Sequence, residues 1–238
     1  MYKELNTIKN MVTESLFPSF CYKCKKTGTY LCNECLWQLK ALYEPTCPHC
    51  DLRLPFGKLP PKCKSELKLN RIFTCGLYSD NALGDMIRDM KYKYARALAS
   101  PLSTFALWQL EQGAYLNTIK ENADVIIPVP MHKRKLKKRG FNQAELIARH
   151  LSDIINVPVK TETLIKTNRT IPQVKTDSRK ERLQNLEGVF EVSNDSVKNK
   201  TILLVDDVIT TGSTMRQCAI ALNSAGTKEV WGLAVLKD

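Results

Sequence analysis

No uninterrupted apolar stretch in this chain approaches the roughly 20 residues that cross a bilayer, and residues 1–10 mix charged and polar side chains without the apolar centre of a secretory signal. Membrane insertion is not expected, and a cytoplasmic location is. The usual nucleotide loops are missing too: GxxxxGK(S/T) occurs nowhere, and no GxGxxG follows a strand-like run. Histidine is scarce. His49, His132 and His150 stand in unrelated contexts, and no Ser/His/Asp or Cys/His arrangement for nucleophilic catalysis is evident.

What is present suits a soluble globular chain. With 238 residues, 43% hydrophobic and 25% charged, it can hold one substantial core and a small appendage. The formal net charge of +12 is unevenly placed: residues 131–182 carry 14 Lys/Arg against 5 Asp/Glu, and residues 1–75 carry 12 against 6. Two basic regions of this kind are an electrostatic footprint for a polyanion. Eight of the nine cysteines crowd into residues 21–75, which in a reducing compartment points to metal rather than disulfides.

Along the chain, Ile8, Met11, Val12, Leu16 and Phe17 fall near helical spacing and Pro18 ends that pattern. The segment from Cys21 to about Cys75 has little periodicity, as expected where a metal substitutes for a core too small to stand alone. The boundary is expected near residue 75, with a cysteine-rich unit over 1–75 and an α/β unit over 76–238. A strand-like run covers Arg71 to Ser79, followed by helical patterns over Leu83–Tyr94 and Leu98–Leu116. The rest alternates as a parallel sheet requires: strand Val125–Val129, helix Asn142–Ile155, strand Val157–Ile165, a basic loop, a short strand Glu187–Val192, strand Thr201–Val205, helix Met215–Ser224 closed by Gly226, and strand Val230–Leu236.

The densest chemistry follows Thr201. Ile202 to Val205 is a continuous apolar run fit for a central parallel strand, and Asp206-Asp207-Val208-Ile209-Thr210-Thr211-Gly212-Ser213-Thr214 leads into a helix. A helix N-terminus offers free N–H groups and partial positive charge, so Thr210, Thr211, Gly212, Ser213 and Thr214 can wrap a phosphate. Asp206 and Asp207 would repel that phosphate; they make sense as acceptors for ribose hydroxyls, directly or through Mg2+ held by a pyrophosphate. Ligands of open α/β sheets bind beyond the carboxyl ends of the strands, where this loop and the one after Val129 both emerge.

These residues resemble the phosphoribosyl pyrophosphate (PRPP) motif of type I phosphoribosyltransferases. The resemblance implies a parallel-sheet core of that type and a Mg2+-dependent PRPP ligand. A second resemblance is narrower: Ile127-Pro128-Val129-Pro130, a basic run, then Arg139-Gly140-Phe141-Asn142-Gln143, with Gln173, Arg182, Asn185 and Phe190 further on, is similar to the ComF family of competence proteins. That likeness implies a phosphoribosyltransferase-like core with an N-terminal zinc segment. It also implies a role in handling incoming single-stranded DNA, with a DNA translocase or helicase of the same operon as partner. An active transferase with an unknown acceptor is the other reading.

In the basic run His132 to Arg139, Lys133, Lys135, Lys137, Lys138 and Arg139 are candidates for pyrophosphate or nucleic acid, and the alternative is a solvated loop. Gly140 and Asn142 can supply a tight turn and a polar contact. Phe141 either stacks a base or packs, packing being the simpler use. Lys166 to Arg182 resembles the loop that closes over PRPP in the transferases, with Gln173, Lys175, Arg179 and Arg182 as candidates; a linker fits its composition equally. Cys21-x2-Cys24 and Cys32-x2-Cys35 are expected to complete a four-sulfur zinc site, the alternative being a redox or merely buried set. Cys47-x2-Cys50 with Cys63 is a second candidate, in which Glu66 stands where the family often has cysteine. His49, Glu66 or Cys75 is the possible fourth ligand, or the three remain thiols.

Overall fold

The computed structural model describes residues 18–39, 44–167 and 189–238. The amphipathic lead-in expected before Pro18, and Gln173, Lys175, Arg179, Arg182 and Asn185, lie outside the described residues. At the centre is a four-stranded, all-parallel sheet ordered β1-β6-β5-β2, from β1 (Arg71–Leu77), β2 (Val125–Pro128), β5 (Thr201–Ile209) and β6 (Glu229–Lys237). β5 and β6 are central and read as near-continuous apolar runs because both faces are covered. A small antiparallel pair, β3 (Leu164–Lys166) and β4 (Phe190–Val192), stands apart.

Alternation along the strands sorts the core into two layers. Leu203, Val205, Phe73, Cys75 and Leu233 face one side, with α3 (Asn81–Tyr92), α4 (Ala99–Gln112), α5 (Tyr115–Asn122) and α7 (Gln143–Ile155). Ile202, Leu204, Ile72 and Val230 face the other, with α8 (Ser213–Ser224) and α2 (Pro61–Leu67). Each Leu or Ile so enclosed contributes about 1.5–3 kcal/mol of transfer free energy. Residue 75 lies inside β1, and Leu54, Leu59, Leu67 and Leu69, all earlier in the chain, share a buried cluster with Leu204 and Met215. The cysteine-rich segment, which also contains α1 (Asn33–Trp37), is thus packed onto the sheet.

Three expectations change. The strand expected over Val157–Ile165 is interrupted: Val159 makes a single parallel bridge to Ile126, and pairing resumes only at β3, because the chain bends over the polar residues 161–163, where the Thr163 carbonyl accepts from the Ser193 N–H. The helix expected over Leu98–Leu116 is two helices, α4 and α5, separated at Gly113 and Ala114, the latter at φ 58. The basic run is not a loop: Lys133–Arg139 is helix α6, with His132 Nδ1 accepting from the Arg134 N–H at 3.1 Å and Gly140 closing it at φ 79. No helix among the described residues is long and apolar enough to cross a membrane.

Candidate functional site

β5 runs four residues beyond Val205, so Asp206 and Asp207 sit within the paired strand, Asp206 opposite Ala234. Strand alternation sends them to opposite faces. Asp206 follows Leu204 toward α8, and Asp207 follows Val205 toward α3, where its Oδ2 is 3.0 Å from Lys91 Nζ. Asp207 is 7% exposed, and Lys91 supplies the countercharge such burial demands. Desolvation, reinforced by the adjacent Asp207 carboxylate, pushes Asp206 well above the ordinary carboxylate range, although the Asp207 N–H donates to its Oδ1 at 2.9 Å. A cation or a pair of ribose hydroxyls arriving there would draw it back toward the ionised form.

The two acids form part of a cleft of about 320 Å3 at the carboxyl end of the sheet. Its lining joins the β2 exit (Val129 to His132), Lys135 and Arg139 of α6, Asn142 and Gln143, Lys166 of β3, Thr214 of α8, and Lys91 and Tyr92 of α3. Of the expected residues, Lys135, Arg139, Asn142, Asp206, Asp207 and Thr214 therefore meet in one place. Thr210, Thr211, Gly212 and Ser213 form the turn leading to Thr214, with Thr211 and Ser213 hydroxyls 2.7 Å apart. Lys133, Lys137 and Lys138 are exposed on α6 away from the lining. Arg179 and Arg182 are outside the described residues.

Several of these side chains hold the scaffold as well. Asn142 caps α7 by accepting from the Ala144 N–H at 3.1 Å and donates to the Val129 carbonyl at 3.0 Å, tying the β2 exit to the helix start. Phe141 is 4% exposed with the Arg96 guanidinium 5.2 Å over its ring, so it packs. Gly212, at φ +76, lets the turn from Thr210 to Thr214 press on the cysteine-rich segment: a Cβ there would lie 2.8 Å from Leu67 Cδ2. Burial, with the like charge of Lys135, pulls Lys166 below the ordinary lysine value, against the opposing pull of Cys218 and Asp206.

Lys91 and Tyr92 are lining residues that the reading of the sequence did not place in the site, whereas Gln143 ended the family-like run and Lys166 opened the segment read as the closing loop without being singled out. The alternation Lys91-Tyr92-Lys93-Tyr94, basic and aromatic residues interleaved, was the available signal for the first two. Gln143 is 2% exposed and its Nε2 has no hydrogen-bond partner among the described residues, an unsatisfied donor at the wall of a cleft.

Two cysteine groups have the donors and proximity to hold a metal ion. The Sγ atoms of Cys21, Cys24, Cys32 and Cys35 all lie within 4.8 Å of one another, as do those of Cys47, Cys50 and Cys63. Burial raises the Cys21 thiol, but N–H groups of Cys24, Cys32 and Lys23 outweigh it and bring it down to about 6. Burial carries Cys35 and Cys63 to about 12. Such divergent thiols crowded together fit a tetrahedral thiolate site, in which a metal takes the place of the protons. Cys75 is not the fourth ligand of the second group: β1 turns it into the opposite core layer, away from Cys47 and Cys63. His49 and Glu66 are paired with each other there.

A family model described as "Phosphoribosyl transferase domain" matches residues 98–238, and the parallel sheet with its acid-bearing strand defines a type I phosphoribosyltransferase-like core. "Competence protein F" of Haemophilus influenzae is 30% identical over 210 residues, 86% of this chain and 90% of that protein. "DNA utilization protein YhgH" of Shigella flexneri is 30% identical over 224 residues, 91% of this chain and 96% of that protein. "Competence protein ComFC" of Bacillus subtilis is 34% identical over 104 residues, 43% of this chain and 39% of that protein. The chain belongs to the ComF family of phosphoribosyltransferase-like proteins.

Proposed function

We propose that this protein binds a phosphoribosyl group in its cleft and handles incoming single-stranded DNA during natural transformation, in the cytoplasm, beside the DNA translocase or helicase of the uptake machinery. The observation that carries the reading is the convergence of Asp206, Asp207 and Thr214 with Lys135, Arg139 and Lys166 on one cleft: acids for ribose hydroxyls beside cations for phosphate. The names of the competence and DNA utilization relatives supply the biological setting.

PRPP fits this donor set. Mg2+ arriving with it would be held mainly by pyrophosphate oxygens, with Asp206 as the carboxylate not already matched by a lysine, and would neutralise charge on the pyrophosphate. Thr210 to Thr214 would take the 5′-phosphate with N–H and hydroxyl donors, and Lys135 and Arg139 the pyrophosphate. The second reading is an active Mg2+-dependent phosphoribosyltransferase with an unknown acceptor. It is favoured by the same cations, which are placed to stabilise a departing pyrophosphate without a protein nucleophile. Zinc at the Cys21, Cys24, Cys32 and Cys35 group is the structural metal in both readings, and Cys47, Cys50 and Cys63 are proposed as a second site.

PRPP with Mg2+ should raise the melting temperature, by roughly 2.7 kcal/mol of added stability at 100 times the dissociation constant. The double variant Asp206→Asn/Asp207→Asn should lose the shift; an equal shift would put the phosphate elsewhere. For single-stranded DNA, affinity should be nearly independent of sequence and fall steeply with salt. Each neutralised phosphate contributes about −0.7 to the slope of log affinity against log salt. Replacing Lys135, Lys137 and Lys138 by Ala should flatten that slope by up to about 2 units, and an unchanged slope would return α6 to a solvated surface.

A further inference from the structure

Tyr92 is the one aromatic ring of Phe, Tyr or Trp lining the cleft among the described residues, and it is 73% exposed. It closes α3, whose buried face is built from Ala82, Leu83, Met86, Ile87 and Met90, so the ring contributes nothing to the core. The other candidate ring, Phe141, is consumed by packing and by Arg96. Next to Tyr92, Lys91 reaches Asp207, which fixes the end of α3 to the acid-bearing strand. The same cleft holds the unsatisfied, buried Gln143 amide, a second sign that a polar ligand completes it.

An exposed π-face beside the cations Lys91, Lys135, Arg139 and Lys166 has one natural occupant, a base of a nucleotide chain. We propose that Tyr92 is the stacking platform for a nucleobase, so that the mouth of the cleft takes a nucleotide unit of a single strand: its base lies on Tyr92 and its phosphates lie toward Lys135 and Arg139. The proposal rests on the reading of the cleft as a phosphoribosyl and single-strand site, and it adds that the base itself is recognised, by stacking and without sequence preference. Stacking explains why the ring stands at the mouth instead of within the core, since a base must reach its face from solvent.

The test compares, on the full chain, a thymidine strand with an abasic strand of equal length and phosphate count. The unaltered protein should prefer the thymidine strand about tenfold, the usual scale of one stacked base. Tyr92→Leu should remove the preference while leaving affinity for the abasic strand unchanged, and Tyr92→Phe should keep it. A preference that survives in Tyr92→Leu would overturn the platform and leave the single-strand reading standing. Loss in Tyr92→Phe would overturn stacking, since the contact would then run through the hydroxyl. If the unaltered protein binds neither strand, both this inference and the single-strand reading fall, whereas the PRPP-induced melting shift reports on the phosphoribosyl reading separately.

Discussion

Cys21, Cys24, Cys32 and Cys35 bring four sulfur atoms together at the margin of the molecule, whereas Cys47, Cys50 and Cys63 bring three together against its core. The first group forms a small buried cluster of its own, with Leu31 alone as a partly buried neighbour. The second shares its cluster with Leu54, Leu67, Met215 and Leu222. They also serve different walls of the cleft. Tyr22, inside the first knuckle, donates from its hydroxyl to Asp89 of α3 at 2.8 Å, two residues before Lys91. The second group takes Cys63 from α2, at whose end the Glu66 carbonyl accepts from Arg216 Nε at 2.8 Å and the Lys68 carbonyl from Asn223 Nδ2 at 2.9 Å, both on α8. A group without its own apolar core would depend on a bound metal for its fold; one embedded in apolar packing has a second source of stability.

That difference is sharpest in metal loss. Cys24→Ser should cost the first segment most of its folding energy, since a structural zinc contributes about 10 kcal/mol or more in small modules. Limited proteolysis should then cut near residues 21–39, with zinc reduced by one equivalent. Cys50→Ser should leave residues 44–67 protected, because Cys47 and Cys63 remain enclosed by Leu54 and Leu67. Equal proteolytic sensitivity in both variants would dissolve the comparison.

Much of this arrangement was legible locally. β5, α8 and the four-sulfur knuckles follow from apolar runs, a Thr/Gly/Ser turn and Cys-x2-Cys spacing, all signals within a few residues. What was not legible depends on docking. Lys91 meets Asp207 only because α3 packs across the sheet, and no spacing within α3 announces that contact. The exit of Ala114 into positive φ, which splits α4 from α5, runs against the ordinary preference of alanine. Likewise, Asp206 and Asp207 read as a strand tip because acids are poor strand formers, yet pairing with β6 carries the strand through them to Ile209.

Leu67→Ala probes the second wall. Leu67 is 2% exposed and stands against Gly212, where a Cβ would not fit in the turn from Thr210 to Thr214. Truncation should cost about 2–5 kcal/mol, and it should weaken PRPP more than single-stranded DNA because the loop loses its backing. Equal weakening of both ligands would mean that α2 supports the fold at large and not the loop.

Gln143→Leu should act in the opposite sense on stability. Removing a buried donor that lacks a partner relieves a penalty of about 1–3 kcal/mol, so the ligand-free protein should melt higher while its PRPP-induced shift shrinks. A lower melting temperature with the full shift retained would show that the amide serves the scaffold.

The smallest expected effect belongs to the link between the first knuckle and α3. Tyr22→Phe removes one hydroxyl and keeps the ring packed against the core layer of α3 and α4. Asp89 is not stranded, because Lys93 Nζ lies 3.0 Å from its carboxylate, so the loss should be near that of one hydrogen bond, about 1 kcal/mol. In a chain of this size that corresponds to about 2–4 °C in melting temperature, with zinc content unchanged. The Lys91–Asp207 pair is separate from this bond, so the PRPP-induced shift should survive. If Tyr22→Phe leaves the melting temperature unmoved, the first knuckle rests on α3 through apolar contact alone; if it also abolishes the PRPP shift, the two walls are coupled and the division of labour between the cysteine groups fails.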